Sequence, residues 1–436
     1  MSILLAAVAG CVALLLLFLF ARHTEAGLSC LLAVELFNLT FGLNATVIGR
    51  LHLSALDAVS VVLLAAGALR FVWGFGGFSF PRMASAGYLI LFALSFARGW
   101  SANGLFAAAN EGRGFIGPLA AMLYFADAPI DEDSLRRFVR LFLLYGAALC
   151  VITVLAAAGL PVGTAASAAA DDRLLPSNAA AIIAICGFLA LARATYCARW
   201  LPDLLWPGVF FLAAIYLRHR TVWMMILAGA VALVFVDGRL FCRMAPIALL
   251  ASVAVVGFAL YGAGRPGIAS ESDFMESLSN SETWQWRVNG WQEFLFDGEQ
   301  TTLTILAGKP MGSGWQRIDP ESHLLQTAPP HSEYVTEYLR TGIAGLTFVL
   351  LFVCGPLAAL WRTHETDDNA VYPSASIWAV VALISLVYGV AYSIESESYA
   401  LLGITSAIAS GTRAHEQELV NIAHYRNEES SPGFAG

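Results

Sequence analysis

The sequence has little charge for its length and almost no lysine. Charged residues make up 13% of the 436 residues and hydrophobic residues 58%, whereas about a quarter of the residues of a soluble domain are charged. Among 24 basic residues, only Lys309 is a lysine. This composition excludes an ordinary soluble domain and predicts a membrane protein. In such a protein the side on which each charge lies matters more than the net charge of −8.

The sequence also has no CxxC pair, and none of its seven cysteines falls within the long polar segment 263–341. All seven lie in or beside apolar runs, where cysteine acts as a small buried hydrophobic residue. The distribution therefore predicts neither a disulfide framework nor a thiolate metal site. We expect no metal and no other cofactor.

No basic residue precedes the first apolar run, and Arg22 follows it. A secretory signal peptide carries its positive charge ahead of the apolar run. We therefore interpret residues 2–20 as a retained membrane helix.

Apolar runs separated by polar breaks predict an all-α polytopic membrane protein with about twelve or thirteen transmembrane helices. One large extracytoplasmic loop with short helices interrupts the bundle. The expected spans lie near 2–20, 27–48, 53–74, 84–98, 112–126, 138–160, 177–193, 203–217, 221–236, 244–262, 342–361, 376–394 and 398–410. The expected divisions are an N-terminal bundle segment over residues 1–262, the loop 263–341, a C-terminal bundle segment over residues 342–410 and a disordered cytoplasmic tail 411–436.

Clustered arginines predict the orientation of the bundle. They occur in the short connections 81–85, 131–140, 193–199 and 237–243. Because positive charge favours the cytoplasmic side, these connections are expected to be cytoplasmic. The segment 263–341 then lies outside.

The outer segment contains three motifs in order. The stretch ETWQWRVNGWQEFLF repeats Trp284, Val288, Trp291 and Leu295 on one helical face, which is typical of a helix at a membrane surface, with Arg287 on its flank. A glycine turn follows, AGKPMGSGW, and then HSEYVTEYLRTGIAGL enters an apolar run. Chemistry-bearing residues thus concentrate at one membrane face.

The order of these motifs resembles that of the integral-membrane O-antigen ligase and Wzy-type polysaccharide polymerase family. Members of that family combine an arginine-bearing aromatic helix, a glycine turn, and a histidine that precedes a glycine-containing helix. Gly342 and Gly345 match those glycines, whereas Ser332 stands where the family commonly has asparagine. The matching motifs cover roughly residues 280–350.

The resemblance implies a metal-independent glycosyltransfer at the outer face of the bacterial inner membrane, with the active site facing the periplasm. The donor is a glycan on undecaprenyl diphosphate, and the acceptor is a glycan or lipid-linked sugar hydroxyl. Charge on the leaving diphosphate calls for arginine, and the hydroxyl calls for a base such as histidine. The predicted catalytic residues are His331 and Arg287.

A second set of residues is expected to bind the diphosphate or another portion of the substrate. The turn LRHRT holds basic residues between two apolar runs on the outer side, against the usual charge bias. The full set is Arg220, Arg218, Arg173, Arg113, Gly312, Gly314 and Tyr334.

Structural interpretations of the same residues stay open. His331 could cap a helix, Arg287 and Arg220 could reach lipid headgroups, and Tyr334 could be an interfacial aromatic residue. Arg173 could pair with a neighbouring aspartate. Glu333 and Glu337 form a like-charge pair, which an ion pair between Glu337 and Arg340 could offset.

The function predicted from the sequence is polymerisation of O-antigen or exopolysaccharide repeat units. A ligase that transfers the glycan to lipid A–core is the alternative within the family. A transporter or flippase for an anionic lipid or metabolite is the alternative from another class, although the sequence shows no internal repeat. Expected partners are the lipid-linked donor, the acceptor, membrane lipid and a chain-length regulator, but no nucleic acid.

Overall fold

The structure is a computed structural model and describes most of the chain. The described residues are 2–41, 46–48, 51–73, 80–126, 128–162, 174–196, 200–236, 282–296, 300–318, 325–327, 329–364 and 375–411. The expected span at 244–262, the acidic start of the polar segment, the tail after residue 411 and Arg173 lie outside them.

The described chain is mostly helical. Its first nine helices are α1 (Ser2–Arg22), α2 (Thr24–Phe41), α3 (Ala55–Trp73), α4 (Phe80–Asn103), α5 (Leu105–Phe125), α6 (Glu132–Ala157), α7 (Ser177–Tyr196), α8 (Trp200–Tyr216) and α9 (Arg220–Val236). The remaining helices are α10 (Glu282–Phe296), α11 (Thr302–Ala307), α12 (Glu333–His364), α13 (Ala375–Ala391) and α14 (396–411).

Two short antiparallel hairpins accompany the helices, and the sequence analysis predicted neither. Strands β1 (Thr46–Ile48) and β2 (Leu51–Leu53) pair with Val47 opposite His52. Strands β3 (Gln316–Ile318) and β4 (Leu325–Thr327) pair with Arg317 opposite Gln326. The second hairpin matters for the site because it carries Arg317.

Five described helices are long and apolar enough to cross a membrane, which is compatible with a multi-pass membrane protein. They are α2, α3, α4, α6 and the stretch of α12 that runs over Glu333–Leu360. Five further apolar helices or helix segments are shorter: Gly10–Arg22, Ser177–Arg193, Leu205–Tyr216, Arg220–Phe235 and Ile377–Ala391.

The centre of the bundle is formed by helices that are apolar on every side. Helix α7 is buried almost throughout residues 179–192 and packs against α6, α8 and α9. Small residues allow close approach, since a side chain on Gly146 or Gly187 would overlap Cys186 or Phe211 of the neighbouring helices. The core therefore depends on glycine and alanine at the helix contacts.

The two ends of the bundle are named here by the side-chain contacts found at each of them. At one end, which we call the arginine end, Arg70 donates to the backbone oxygen of Phe20, and Arg82 donates to that of Phe71. At the other end, which we call the site end, the Tyr388 hydroxyl lies 3.0 Å from that of Ser177.

Most helices lie where the sequence predicts them, with two informative differences. The expected span 27–48 was wrong at its end, since α2 stops at Phe41 and residues 46–48 form β1. The expected span at 342–361 is the second half of the longer helix α12, which begins at Glu333. Gly342 interrupts it with φ 70° and ψ −171°, values that glycine adopts without steric cost. The polar residues 333–341 are therefore helical as well and belong to the bundle.

Candidate active site

The break at Gly342 makes room for the short helix α11. A side chain at position 342 would overlap the backbone of Leu306 and Ala307. The positive φ and this close approach both require glycine there. The break thus seats the glycine turn that follows α11 against the first turns of α12.

The carboxylates of two buried glutamates on the first turns of α12 are hydrogen-bonded to neighbouring elements of the bundle. Glu333 accepts hydrogen bonds from the backbone N–H of Ile394 at 2.9 Å and from the Tyr399 hydroxyl at 2.6 Å. The Tyr88 hydroxyl lies 2.7 Å from both carboxylate oxygens of Glu337. These carboxylates therefore fix α4 and the connection between α13 and α14, which places Tyr392 beside the site.

The glycine turn is held by a buried ion pair between Arg340 and Glu111. Glu111 also accepts from the backbone N–H of Gly312 at 2.5 Å, while Arg340 donates to the Gly314 oxygen at 2.6 Å. The guanidinium of Arg340 lies 3.7 Å from the ring centre of Trp315. Arg340 thus pairs with Glu111 of α5 rather than with Glu337, the partner that the sequence left open, because Glu337 accepts from Tyr88 of α4.

Further hydrogen bonds tie this turn to α4. Arg98 donates to the backbone oxygens of Ala307 and Gly308, both at 3.0 Å, which satisfies carbonyl groups at the end of α11. The Asn103 amide donates to the oxygen of Met311 at 2.9 Å. The turn is thus a rigid element of the site end.

His331 lies immediately before α12 and has a backbone φ of 50°. A left-handed backbone is uncommon for a residue other than glycine, and it is retained where the surroundings impose it. Here the Trp291 indole donates to the oxygen of Pro330 at 2.5 Å. The imidazole lies 5.9 Å from the ring of Trp286. Helix α10 therefore fixes both the backbone and the ring of His331.

Arg287 and Arg317 bring positive charge to His331 from two elements. Arg287 donates to the oxygen of Ala391 at 2.9 Å, and its guanidinium lies 4.5 Å from the ring centre of Tyr392. Arg287 forms no ion pair with any carboxylate whose side chain the structure describes. Arg317 is buried, and its guanidinium stacks 3.2 Å from the Trp286 ring centre.

These surroundings lower the pKa of His331. Burial disfavours the charged imidazolium, and the positive charges of Arg287 and then Arg317 disfavour it further. The first carboxylate of α12, Glu333, bonds to Ile394 and Tyr399. His331 is therefore neutral at pH 7 and able to accept a proton.

The turn between α8 and α9 lies at the same end of the bundle. Arg218 has φ 58°, and His219 lies 2.9 Å from the backbone oxygen of Leu175. Leu175 precedes Ser177, which contacts Tyr388, and the Tyr388 ring stacks on Tyr392 at 5.2 Å. Arg218 and Arg220 therefore belong to the site end. The charges that act on His331, however, come from Arg287 and Arg317.

No protein-family model and no curated protein significantly matches this chain. The assignment of roles therefore depends on the geometry of the site.

The other predicted site residues are occupied by contacts within the protein. The Arg113 guanidinium lies 3.8 Å from Asp57, and the Tyr334 hydroxyl donates to the Leu386 oxygen at 2.6 Å. Gly312 and Gly314, with φ of 84° and 76°, shape the turn and direct their N–H groups to Glu111. The structure thus gives these residues architectural partners and brings His331 and Arg287 together.

Sequence reasoning missed the roles of Arg317, Trp286 and Tyr392. Arg317 follows the glycine turn directly, but nothing in the pattern around it predicts the β3–β4 hairpin that returns it to α10. Gly290 gave one usable signal, since a side chain there would overlap Arg317. A glycine inside an aromatic helix indicates a closely packed neighbour.

The pKa of His331 provides a test of this geometry. Replacing a neighbouring guanidinium by a neutral amide removes repulsion of the imidazolium, so the pKa of His331 is expected to rise. Arg287→Gln should raise it more than Arg317→Gln, in the order of their electrostatic effects. Hydrogen–deuterium exchange at the imidazole Cε1, followed across pH by mass spectrometry, measures this pKa without any assumption about activity.

Arg136→Gln is the matched control for that measurement. Arg136 is exposed on α6 and pairs with Glu132 on the same helix, far from His331, so its replacement should leave the pKa unchanged. An unchanged pKa in both Arg287→Gln and Arg317→Gln contradicts the described charge cluster.

Proposed function

We propose that the protein is a membrane glycosyltransferase that polymerises repeat units of a surface polysaccharide. The donor glycan is carried by undecaprenyl diphosphate, and the acceptor is a sugar hydroxyl. The observation that carries the proposal is the half-buried His331 near Arg287, whose positive charge and the burial of the ring lower the pKa of His331. Arg287 itself pairs with no carboxylate whose side chain the structure describes, and it donates to the oxygen of Ala391.

The proposed reaction assigns one role to each of these residues. The acceptor oxygen attacks the anomeric carbon while the bond from that carbon to the diphosphate oxygen breaks. His331 takes the hydroxyl proton. Arg287 binds the leaving diphosphate, whose negative charge increases during the reaction. The fixed guanidinium suits this role because its planar group pairs with phosphate oxygens and stays charged.

Backbone conformation gives further support. In the portion of the chain that the structure describes, the non-glycine residues with positive φ are Arg218 and His331. Both are at the site end, and both were chosen from the sequence for other reasons. Unfavourable backbone conformations concentrate at functional sites, where the surrounding structure maintains them. We assign Arg218 and Arg220 to a more distant portion of the lipid-linked substrate.

The proposal includes a topology. The shorter apolar helices cross the membrane together with the five long ones, and the site end faces the periplasm of a bacterial inner membrane. The arginine end contains Arg70, Arg82 and Arg137, which the positive-inside rule favours on the cytoplasmic side. The reaction then takes place at headgroup depth, between lipid and water.

Cysteine labelling tests this topology. A cysteine at Ser313, which is exposed in the glycine turn, should react with a membrane-impermeant thiol reagent in intact cells whose outer barrier has been opened. A cysteine at Asp133, exposed at the arginine end, should react only after lysis. Native cysteines are replaced beforehand, or the labelling of the parent protein, which lacks the added cysteine, is subtracted as background. The reverse labelling pattern excludes a periplasmic site.

A reconstituted assay tests the reaction itself. Purified full-length protein in nanodiscs, given undecaprenyl-diphosphate-linked repeat units in the presence of a chelator, should produce longer glycans and free undecaprenyl diphosphate. Arg287→Lys should lower this rate by about tenfold or more, because lysine cannot form the planar two-point contact with phosphate. Arg136→Lys, at the opposite end, serves as the control.

The products of that assay also separate the alternatives. Transfer to lipid A–core without elongation supports the ligase. Movement of intact lipid-linked units across the membrane, with no new glycosidic bond, supports a transporter. Full activity of Arg287→Lys shows that Arg287 serves as an interfacial arginine rather than as a diphosphate clamp.

A further inference from the structure

A separate groove of about 200 Å³ lies between α6, α7 and α8. Leu144, Ala147 and Phe210 contribute to its apolar walls, and Arg140, Arg193 and Trp206 line it as well. None of these residues takes part in the proposed reaction. The groove therefore calls for an explanation of its own.

Contacts between the helices show how far along the bundle axis the two arginines lie from the middle of the groove. A side chain on Gly146 of α6 would overlap Cys186 of α7 and approach Phe210 of α8, so these positions share one level. Arg140 precedes Gly146, and Arg193 follows Cys186 on the antiparallel helix. With a rise of about 1.5 Å per residue, both arginines lie roughly 10 Å from that level, toward the arginine end.

Trp206 lies one helical turn before Phe210, on the same side of that level as the arginines. The two rings contact each other with centres 6.1 Å apart, and Trp206 is largely exposed. Tryptophan is enriched at the boundary between headgroups and hydrocarbon. Starting from the arginine end, the groove is therefore lined first by Arg140 and Arg193, then by Trp206, and then by apolar side chains.

The charges at the basic end are not neutralised by the described residues. On α6, Arg136 pairs with Glu132, and Arg137 pairs with Glu25. Arg140 and Arg193 are both exposed, and neither forms an ion pair with a carboxylate whose side chain the structure describes. Two guanidinium groups that line the same apolar groove complement a phosphate that is joined to a hydrocarbon chain.

We propose that this groove is a binding site for one anionic phospholipid of the leaflet at the arginine end. The phosphate lies between Arg140 and Arg193, and an acyl chain runs past Trp206 along Leu144 and Ala147. A basic pocket between membrane helices recognises an anionic headgroup in this way, since guanidinium pairs with phosphate while the chain stays in an apolar environment. The inference is independent of the proposed glycosyltransfer.

Native mass spectrometry of the delipidated full-length protein tests the site. Phosphatidylglycerol is titrated against phosphatidylcholine with the same acyl chains. We expect preferential binding of phosphatidylglycerol, which weakens about fivefold for each arginine removed in Arg140→Gln, Arg193→Gln and the double variant. Arg136→Gln, one turn away but already paired, should bind like the wild type.

Two further experiments test whether the acyl chain is needed for binding and whether a phosphate without a chain can occupy the site. Ala147→Phe fills the groove without changing charge and should also weaken phosphatidylglycerol binding. Glycerol phosphate, which has the headgroup charge but no chain, should not displace the lipid at equal concentration. Unchanged lipid preference in the double arginine variant, unchanged binding in Ala147→Phe, or displacement by glycerol phosphate each overturns the proposal.

Discussion

We expect His331→Ala to lower long-chain glycan output by about 10²–10⁴-fold while the protein accumulates in the membrane at its wild-type level. A positioned general base contributes a factor of this size. The neutral imidazole beside Arg287 is suited to that task because the neighbouring positive charges and burial hold its pKa low. Single repeat units should therefore accumulate on their carrier. Gel analysis of the glycan and immunoblotting of the membrane fraction measure both quantities.

Two further substitutions distinguish catalysis from positioning at residue 331. His331→Gln keeps a hydrogen-bonding side chain but accepts no proton near pH 7. His331→Asn additionally suits the backbone, since asparagine adopts positive φ more readily than most residues, and φ is 50° here. Both should be as inactive as alanine. If either restores glycan synthesis, His331 positions the acceptor and the proton goes elsewhere.

The acid limb of the activity profile should follow the same residue. In the proposed reaction the neutral imidazole is the base, so activity should fall as the pH drops through the pKa of His331. A lowered pKa should then preserve activity to a lower pH. In Arg317→Gln the acid limb should move to higher pH together with the pKa measured by imidazole exchange. Agreement between the two measurements identifies His331 as the titrating base.

Helix periodicity and motif order allowed much of this arrangement to be predicted. Long apolar runs predict helices because lipid offers no hydrogen bonds to the polar backbone, and a helix satisfies its backbone groups internally. The motif around Arg287 and the helix start at His331 are local features of the sequence. The sequence analysis accordingly predicted helices close to α1–α9 and the aromatic helix α10. It also named His331 and Arg287, which the structure places near each other, while their catalytic role stays a prediction.

The contacts that hold the site together depend on distant segments of the chain, and local patterns carry no such information. Glu111 of α5 and Arg340 of α12 are 229 positions apart. The sequence left open a pairing of Arg340 with Glu337, because i,i+3 residues are neighbours on a helix. The bundle overrides this preference, since Glu337 faces Tyr88 of α4 and Arg340 faces α5.

The buried ion pair between Arg340 and Glu111 predicts a large effect on the stability of the protein. The Arg340 side chain is 1% exposed and that of Glu111 10%. Removing one partner leaves the other charge buried, which costs about 3–5 kcal/mol. Arg340→Met and Glu111→Met should therefore each lower the free energy of unfolding by about that amount. Unfolding of the purified protein in mixed micelles by added denaturing detergent measures this change.

A double-mutant cycle on Glu111 and Arg340, compared with the same cycle on an exposed ion pair, tests whether the two charges interact directly. With both charges removed, no unpaired charge stays buried, so Glu111→Met with Arg340→Met should cost clearly less than the sum of the single changes. The exposed pair of Arg136 and Glu132 on α6 provides the matched cycle, in which each change costs about 0.5 kcal/mol or less. Additive losses at Glu111 and Arg340 contradict a direct ion pair. Because Glu111 also accepts from Gly312, the same variants should release the glycine turn and raise the reactivity of a cysteine at Ser313.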